Sequence, residues 1–454
     1  MRLARSTPSE QGVDPAAIDR LLDAVAENGI DLHSLMVLRH GQVVAEGWWT
    51  PYAADRVHLL YSLSKSFTSS AIGIAAGEGL LSLDDTIISF FPDKLPDEIP
   101  PYVADMKVRH LLAMASGHAK ETAPALFAGG PDMVRTFLSI PPDQEPGTLF
   151  CYNQGCTYTL SAIITKLTGQ RLVDYLRPRL FDPLGIDQTY WMQSDEGIDQ
   201  GFSGLHVTTE TIAKLGQLYL QNGQWNGQQL VPAAYVEEAR TKHVDNAATS
   251  DNPDWQQGYG FQFWMGQHGA YRGDGAYGQF CVILPDVDAV IACTAQCSNM
   301  QAEIDLFWEH LLPALAAEAT ADPDGDQRIA QRLQHLSTAT IDARAESPDN
   351  AVTFSLSGDA PEHLDELTAI RVEPSGRLVL IIGGADHTFE IRPGAWTEGE
   401  LPGIQGLLPP VAITAGWTAA DEFQADIVFL SAPHRLQLRA HDGAVATHWY
   451  EAPL

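Results

Sequence analysis

The chain has 454 residues, 45% of them hydrophobic and 19% charged, which suits a globular protein with a substantial core and more than one domain. Acidic residues outnumber basic ones 58 to 27, for a formal net charge of -31. A surface this acidic repels phosphate backbones and anionic lipid, so nucleic-acid and membrane-surface roles are disfavoured and the charge reads as a solubility feature.

The chain starts MRLARSTPSEQGVD, without the apolar core of a secretory signal, and no stretch is long and apolar enough to span a bilayer. The expected location is the cytoplasm. Residues 14–28 read as the first helix, with Asp14 as cap, Pro15 at the first position and Ile18, Leu21, Leu22 and Val25 as the apolar stripe. Two β-branched runs flank His40-Gly41 within 35–49 and read as a hairpin. Helical spacing then runs from Ser62 to Gly79. Residues 80 to about 250 read as mainly helical, punctuated by turn signals such as PPDQEPG and NGQWNGQ. Strand patterns return at 259–265, 278–285 and 289–296, and an amphipathic helix at about 301–317 closes the region. Helices bracketed by a hairpin and later strands imply an α/β (α+β) fold, a mixed antiparallel sheet with a large helical insertion. Residues 318–349 are polar and alanine-rich and read as a helical or irregular linker. From 350 to 454 short alternating strands (VTFSLSG, LTAIRVEP, RLVLIIGG, HTFEIRPG, DIVFLSAP, RLQLRAHDG and a last run ending near Tyr450) predict a small β-sandwich or barrel. The five cysteines, Cys151, Cys156, Cys281, Cys293 and Cys297, are odd in number in a long chain and read as buried free thiols.

Three segments carry candidate chemistry. YSLSKS at 61–66 places Ser62 and Lys65 at i, i+3 on one face of a helix start. A serine hydroxyl needs an adjacent base to act as a nucleophile. The positive end of the helix dipole favours the neutral, basic form of the lysine, and the same helix end offers N–H groups to an oxyanion. Alone, the tetrapeptide is equally a capping serine followed by a surface lysine. PGTLFCYNQG at 146–155 presents Tyr152, whose phenol relays protons if a nearby ammonium lowers its pKa. Otherwise it is a helix-entry turn with a packing tyrosine. YRGDGAYGQF at 271–280 has glycines that allow close backbone approach to a ligand and a strand edge that can donate an N–H, or else it is a tight hairpin turn. The order of the three segments joins them. A hairpin is followed by a helix-start Ser-x-x-Lys, a tyrosine-bearing loop and a glycine-rich strand entry.

With YSLSKSFTSSAIG, LLAMASGH, PGTLFCYNQG, GLHVTTETIAKLGQLYLQNG and YGFQFWMGQHGAYRGDGAYGQF, the chain resembles, over about residues 8–316, the serine β-lactamase-related family of penicillin-binding DD-peptidases, class C β-lactamases, esterases, amidases and nylon-oligomer hydrolases. The resemblance implies a β-lactamase/transpeptidase-like domain over 1–317. It also implies that Ser62 is the nucleophile, Lys65 its base and Tyr152 the tyrosine of the second motif. Gln154 stands where that motif commonly has Asn, and would offer its amide to a substrate carbonyl. The third motif aligns with Gly273-Asp274-Gly275, so the usual cation for a substrate carboxylate is missing. Arg272 is the adjacent candidate replacement, although strand alternation can turn it to the other face. The backbone N–H groups of Ser62 and Ala276 would form the oxyanion hole. Asp274, Gly275, Tyr277, His118 and Trp264 complete the expected substrate-binding set, with a loop cap and a core tryptophan as the alternative readings of the last two. Trp191 is a further candidate for the acyl pocket. The segment 350–454 is similar in kind to the lipocalin-like modules attached to some relatives.

The expected activity is cleavage of small ester or amide substrates through a Ser62 acyl-enzyme, with no metal or cofactor. Alternatives are a peptidase or amidase acting on D-amino-acid or cyclic-peptide substrates, and a non-turnover penicillin-binding-like protein. The missing cation makes β-lactamase activity the less favoured reading. Homo-oligomer formation stays open.

Overall fold

The computed structural model describes residues 2–401 and 410–454. Met1 and residues 402–409 of the C-terminal segment lie outside the described residues.

Residues 2–316 are built around one large sheet with helices on both faces. Its seven strands run in the order Ala4–Arg5, Gln42–Trp48, Asp31–Arg39, Ala289–Gln296, Gln279–Leu284, Tyr271–Gly275 and Trp264–Met265. All pairings are antiparallel except that of the short first strand. Side chains alternate between two cores, as the pleat requires. Leu35, Val37, Val282 and Ile291 join the helices Pro15–Glu27 and Met300–Leu306 in one. Met36, Leu38, Ile283 and Val290 join the helical insertion in the other. The first helix is capped by Asp14, whose side chain accepts from the N–H of Ala16, the N-terminal device its sequence announces.

Two expectations change. The run 259–265 is a strand only at Trp264–Met265. Its first half curls instead: the N–H of Gly260 donates to Phe263 O at 2.8 Å and Gln262 has a φ of 63°. The curl turns the carbonyls of Phe261 and Gln262 toward the hydroxyls of Ser69 and Ser66, at 2.7 and 2.9 Å. The helical insertion also contains a three-stranded sheet of His58–Leu59, Leu205–Val207 and Tyr190–Trp191. Strands of two or three residues leave no periodic signal to read.

The residues after 317 do not hang free. A helix at Pro323–Leu333 packs on the first helix, and Arg332 pairs with Asp19 and Asp23. The C-terminal segment then forms nine strands among the described residues, from Val352–Leu356 to Ala444–Trp449. The strands at the two ends of the order, Ala385–Glu390 and Thr397–Gly399, touch each other, so the sheet is nearly a closed barrel. Val411–Ala419, absent from the predicted strands, is one of its longest members. Closing the sheet on itself hides its hydrogen-bonding edges.

The barrel docks on residues 31–61. Leu59 N–H donates to Ser431 O at 2.7 Å, and Arg435 lies 2.6 Å from Asp31 and 3.6 Å from Asp426. Leu59 and Tyr61 share an apolar cluster with barrel residues such as Ile427, Phe429 and Leu436. All five cysteines are free, four buried and Cys151 half-buried.

Removing the guanidinium that serves two low-exposure carboxylates should destabilise the protein. Arg435→Ala is expected to cost about 2–3 kcal/mol, somewhat below the penalty for stranding a fully buried charge. Urea denaturation measures it, and a loss below ~0.5 kcal/mol, the scale of an exposed pair, would refute this account.

Candidate active site

The helix Ser64–Gly77 is the axis of the site. It is buried from Ser64 to Ala75, although its sequence, SKSFTSSAIGIA, is half polar. Buried hydroxyls need partners, and these hydroxyls meet surrounding loops. Ser64 Oγ accepts from Leu205 N–H at 3.1 Å, Thr68 donates to Gly201 O at 2.9 Å, and Ser66 and Ser69 hold the 261–262 curl. Hydrophobic spacing alone would not show that such a helix is central. Its polar residues are inside because they tie the loops to it.

Ser62 sits on the 3-10 turn Tyr61–Leu63 that leads into this helix. Lys65, in the first turn, is 1% exposed. Its Nζ lies 2.9 Å from Ser62 Oγ and 2.9 Å from Phe202 O, and 4.6 Å from the centre of the Tyr152 ring. Burial brings the lysine down to about 7, partly offset by the negative charges of Glu121 and Asp274. A neutral amine can donate one hydrogen to Phe202 O and turn its lone pair to the serine hydroxyl. After taking the proton, the ammonium faces a carbonyl and an aromatic ring, both of which favour positive charge.

Tyr152 hydrogen-bonds with Ser62 and stacks on Trp264, ring centres 5.3 Å apart. Its phenol is pushed far above its usual range, by burial first and then by Asp274. That is opposite to the lowered phenol expected beside an ammonium, because the desolvation of the buried ring dominates. Burial thus favours the protonated form of Tyr152 and the neutral form of Lys65.

The strand Tyr271–Gly275 reaches this centre because two of its residues have no side chain. A Cβ on Gly275 would stand 1.9 Å from Leu60 O, and one on Gly273 would stand 2.4 Å from Leu63. The strand can thus lie against the turn that carries Ser62. Ser62 and Ala276 line one cleft of about 400 Å³.

The remaining expected residues divide. Gln154 lines the cleft, with its side-chain carbonyl oxygen unpartnered. Asp274 is buried behind it at 3.3 Å from Arg272, and burial raises it to about 6 against the pull of Arg272 and Lys65. Arg272 is wholly buried and stacks over Trp255, so it does not replace the missing cation of the third motif. Trp264 backs Tyr152. Trp191 is buried and donates to Ser203 O, which fixes a cleft loop. His118 bonds Ser116 and Ile140 O, tying a neighbouring loop, and does not line the cleft. Tyr277 turns its hydroxyl to Ala452 O at 2.7 Å.

Glu121 was not legible in the sequence. Its carboxylate accepts from the N–H groups of Gln154 and Ala123, so it fixes the entry to the Gln154–Thr168 helix and lies in the cleft. Met192, Gln200 and Phe202 join from a second loop, and His363, Pro453 and Leu454 from the C-terminal domain. Loop-to-loop contacts of this kind have no sequence period.

The beta-lactamase family model matches residues 18–312, and the chain belongs to that family. It is 25% identical over 301 residues to the 6-aminohexanoate-dimer hydrolase of Paenarthrobacter ureafaciens, covering 60% of this chain and 76% of that one. To the D-aminopeptidase of Brucella anthropi it is 29% identical over 188 residues, covering 37% of this chain and only 34% of that enzyme. The octameric penicillin-binding protein homologue of Pyrococcus abyssi shares the fold with a TM-score of 0.54 and 17% identity, over 91% of this chain and 98% of that one.

Because Lys65 accepts a proton only when neutral, Ser62 reactivity should rise with pH along a limb centred at about 7. Glu121 raises the lysine, so Glu121→Gln should move the limb to lower pH. The pH profile of fluorophosphonate labelling measures both, and a limb that stays or moves upward in the variant would contradict the assignment.

Proposed function

We propose that this chain is a serine hydrolase that cleaves ester or amide bonds of small, largely apolar substrates. The observation that carries the reading is the buried Lys65 amine, 2.9 Å from Ser62 Oγ, with the protonated Tyr152 beside the same hydroxyl.

Ser62 Oγ attacks the substrate carbonyl carbon as its proton passes to Lys65 Nζ. The tetrahedral oxyanion is held by the backbone N–H groups of Ser62 and Ala276, assisted by the helix end behind Ser62. Collapse breaks the bond to the leaving oxygen or nitrogen, which takes the Tyr152 proton. Lys65 restores that proton to the phenolate. Water then attacks the acyl-enzyme, losing a proton to the same relay, and Ser62 is released protonated.

Substrate preference follows from the cleft wall. Phe127, Phe202, Met192 and Leu59 are apolar, and no lysine or arginine lines the cleft among the described residues. With Arg272 sequestered, a carboxylate next to the scissile bond has no partner, which disfavours β-lactams. A second reading, an amidase or peptidase for acyl groups that carry a free amine, is favoured by Glu121 in the same cleft. The relatives named for amide substrates are consistent with it.

Ser62→Ala should abolish both the fluorophosphonate adduct and hydrolysis of p-nitrophenyl butyrate. Lys65→Ala should lower turnover by about 10³-fold or more with the fold retained. An adduct that persists in Ser62→Ala, read by intact mass, would sink the proposal. Faster turnover of nitrocefin than of the ester or of a D-alanine amide would sink the substrate preference.

A further inference from the structure

We propose that the C-terminal β-domain completes the active site, with His434 as a positioning residue that holds Tyr61 and Tyr277 and, through them, the two backbone donors of the oxyanion hole. The inference rests on the assignment of the Ser62 and Ala276 N–H groups to that hole.

Tyr61 directly precedes Ser62, and Tyr277 directly follows Ala276. Both tyrosines have left-handed backbones, with φ of 47° and 68°. Residues with a Cβ rarely occupy this region and stay there only where the surroundings enforce it. The orientation of the Ser62 N–H depends directly on the Tyr61 torsions, because the two residues share that peptide plane. The peptide that joins Ala276 to Tyr277 is also held by Gln279, whose Nε2 donates to Ala276 O at 2.9 Å.

The turn around Tyr277 is held within its own domain by Cys297 N–H, which donates to Tyr277 O at 2.9 Å, and the barrel holds both side chains. The two tyrosine rings meet edge to face, centres 5.6 Å apart, and each also meets the His434 ring edge to face, at 5.8 and 5.6 Å. His434 Nδ1 lies 3.0 Å from Glu451 O. A carbonyl only accepts, so Nδ1 carries the hydrogen and Nε2 is left as an acceptor. Tyr61 OH, 2.6 Å from Nε2, therefore donates to it across 373 positions of chain. Tyr277 OH donates to Ala452 O at 2.7 Å. Tyr61, Ala276 and Tyr277 belong to the same apolar cluster as the barrel core. Burial keeps His434 near 4 and hence neutral wherever Lys65 can act as a base, so the donor–acceptor order does not change over the working range.

A clamp that serves only to glue two domains would affect stability. A clamp on the oxyanion hole affects acylation. The two are separated by full-length His434→Phe and Tyr61→Phe, each of which keeps a ring and removes one hydrogen-bonding group. Both should slow fluorophosphonate labelling of Ser62 and lower kcat for p-nitrophenyl butyrate by about 10- to 100-fold, less than outright loss of an oxyanion donor, with KM within about twofold. His434→Gln, which can accept from Tyr61 and donate to Glu451 O, should recover most of the rate. If His434→Phe does not fold, Tyr61→Phe and Tyr277→Phe carry the comparison. Wild-type labelling rates in the folded variants, or a rise in KM with kcat kept, overturn the inference alone. Wild-type protein that is labelled equally well after Ser62→Ala overturns the underlying reading, and this inference with it.

Discussion

Lys65 is surrounded by protein, with Ser62 Oγ and Phe202 O as its polar contacts, and much of the molecule is arranged around that burial. In water an ammonium with an ordinary pKa is a poor base at neutral pH. Removed from water, it is pushed toward the neutral form, and the degree of that push is set by nearby carboxylates. Glu121 and Asp274 are far enough from Nζ to make no direct ion pair among the described contacts, yet both oppose the desolvation. The result is an amine poised near 7, balanced between a free base and an ion.

The same desolvation gives the site its direction. Burial lowers the lysine and raises Tyr152, so one pocket pushes two groups with similar intrinsic pKa values in opposite directions, one toward its neutral form and one toward its protonated form. His118, the histidine of the nearby loop, is engaged in holding that loop. The hydroxyl-rich face of the Ser64–Gly77 helix serves the same end. It binds the 201–205 loop, whose Phe202 O meets the lysine, and the 261–262 curl.

Packing of the two domains extends this logic. The turn that bears Ser62 is gripped from below by the strand Tyr271–Gly275 and from the side by the barrel. The absent side chains of Gly273 and Gly275 allow the first contact, and the Tyr61–His434 hydrogen bond makes the second. Membership of the beta-lactamase family accounts for the sheet and its helical insertion. The barrel lies beyond residues 18–312, which the family model matches.

Periodicity and local chemistry were enough to place the first helix, the hairpin, the paired strands 279–284 and 289–296, and most barrel strands, because each carries its own repeat, cap or turn. Ser62, Lys65 and Tyr152 were legible as a set because their spacing and order are themselves local facts. Other features depend on distant neighbours. Arg272 reads as a candidate substrate cation until Asp274 and Trp255 enclose it, and Glu121 carries no local signal before its carboxylate meets Gln154 N–H. The direction of the Tyr152 shift required knowing that its ring is dry. The sequence by itself determined which ionisable groups stand together in order along the chain; only the tertiary structure decided how much water each group loses, and that loss pushes Lys65 toward its neutral form and Tyr152 toward its protonated one.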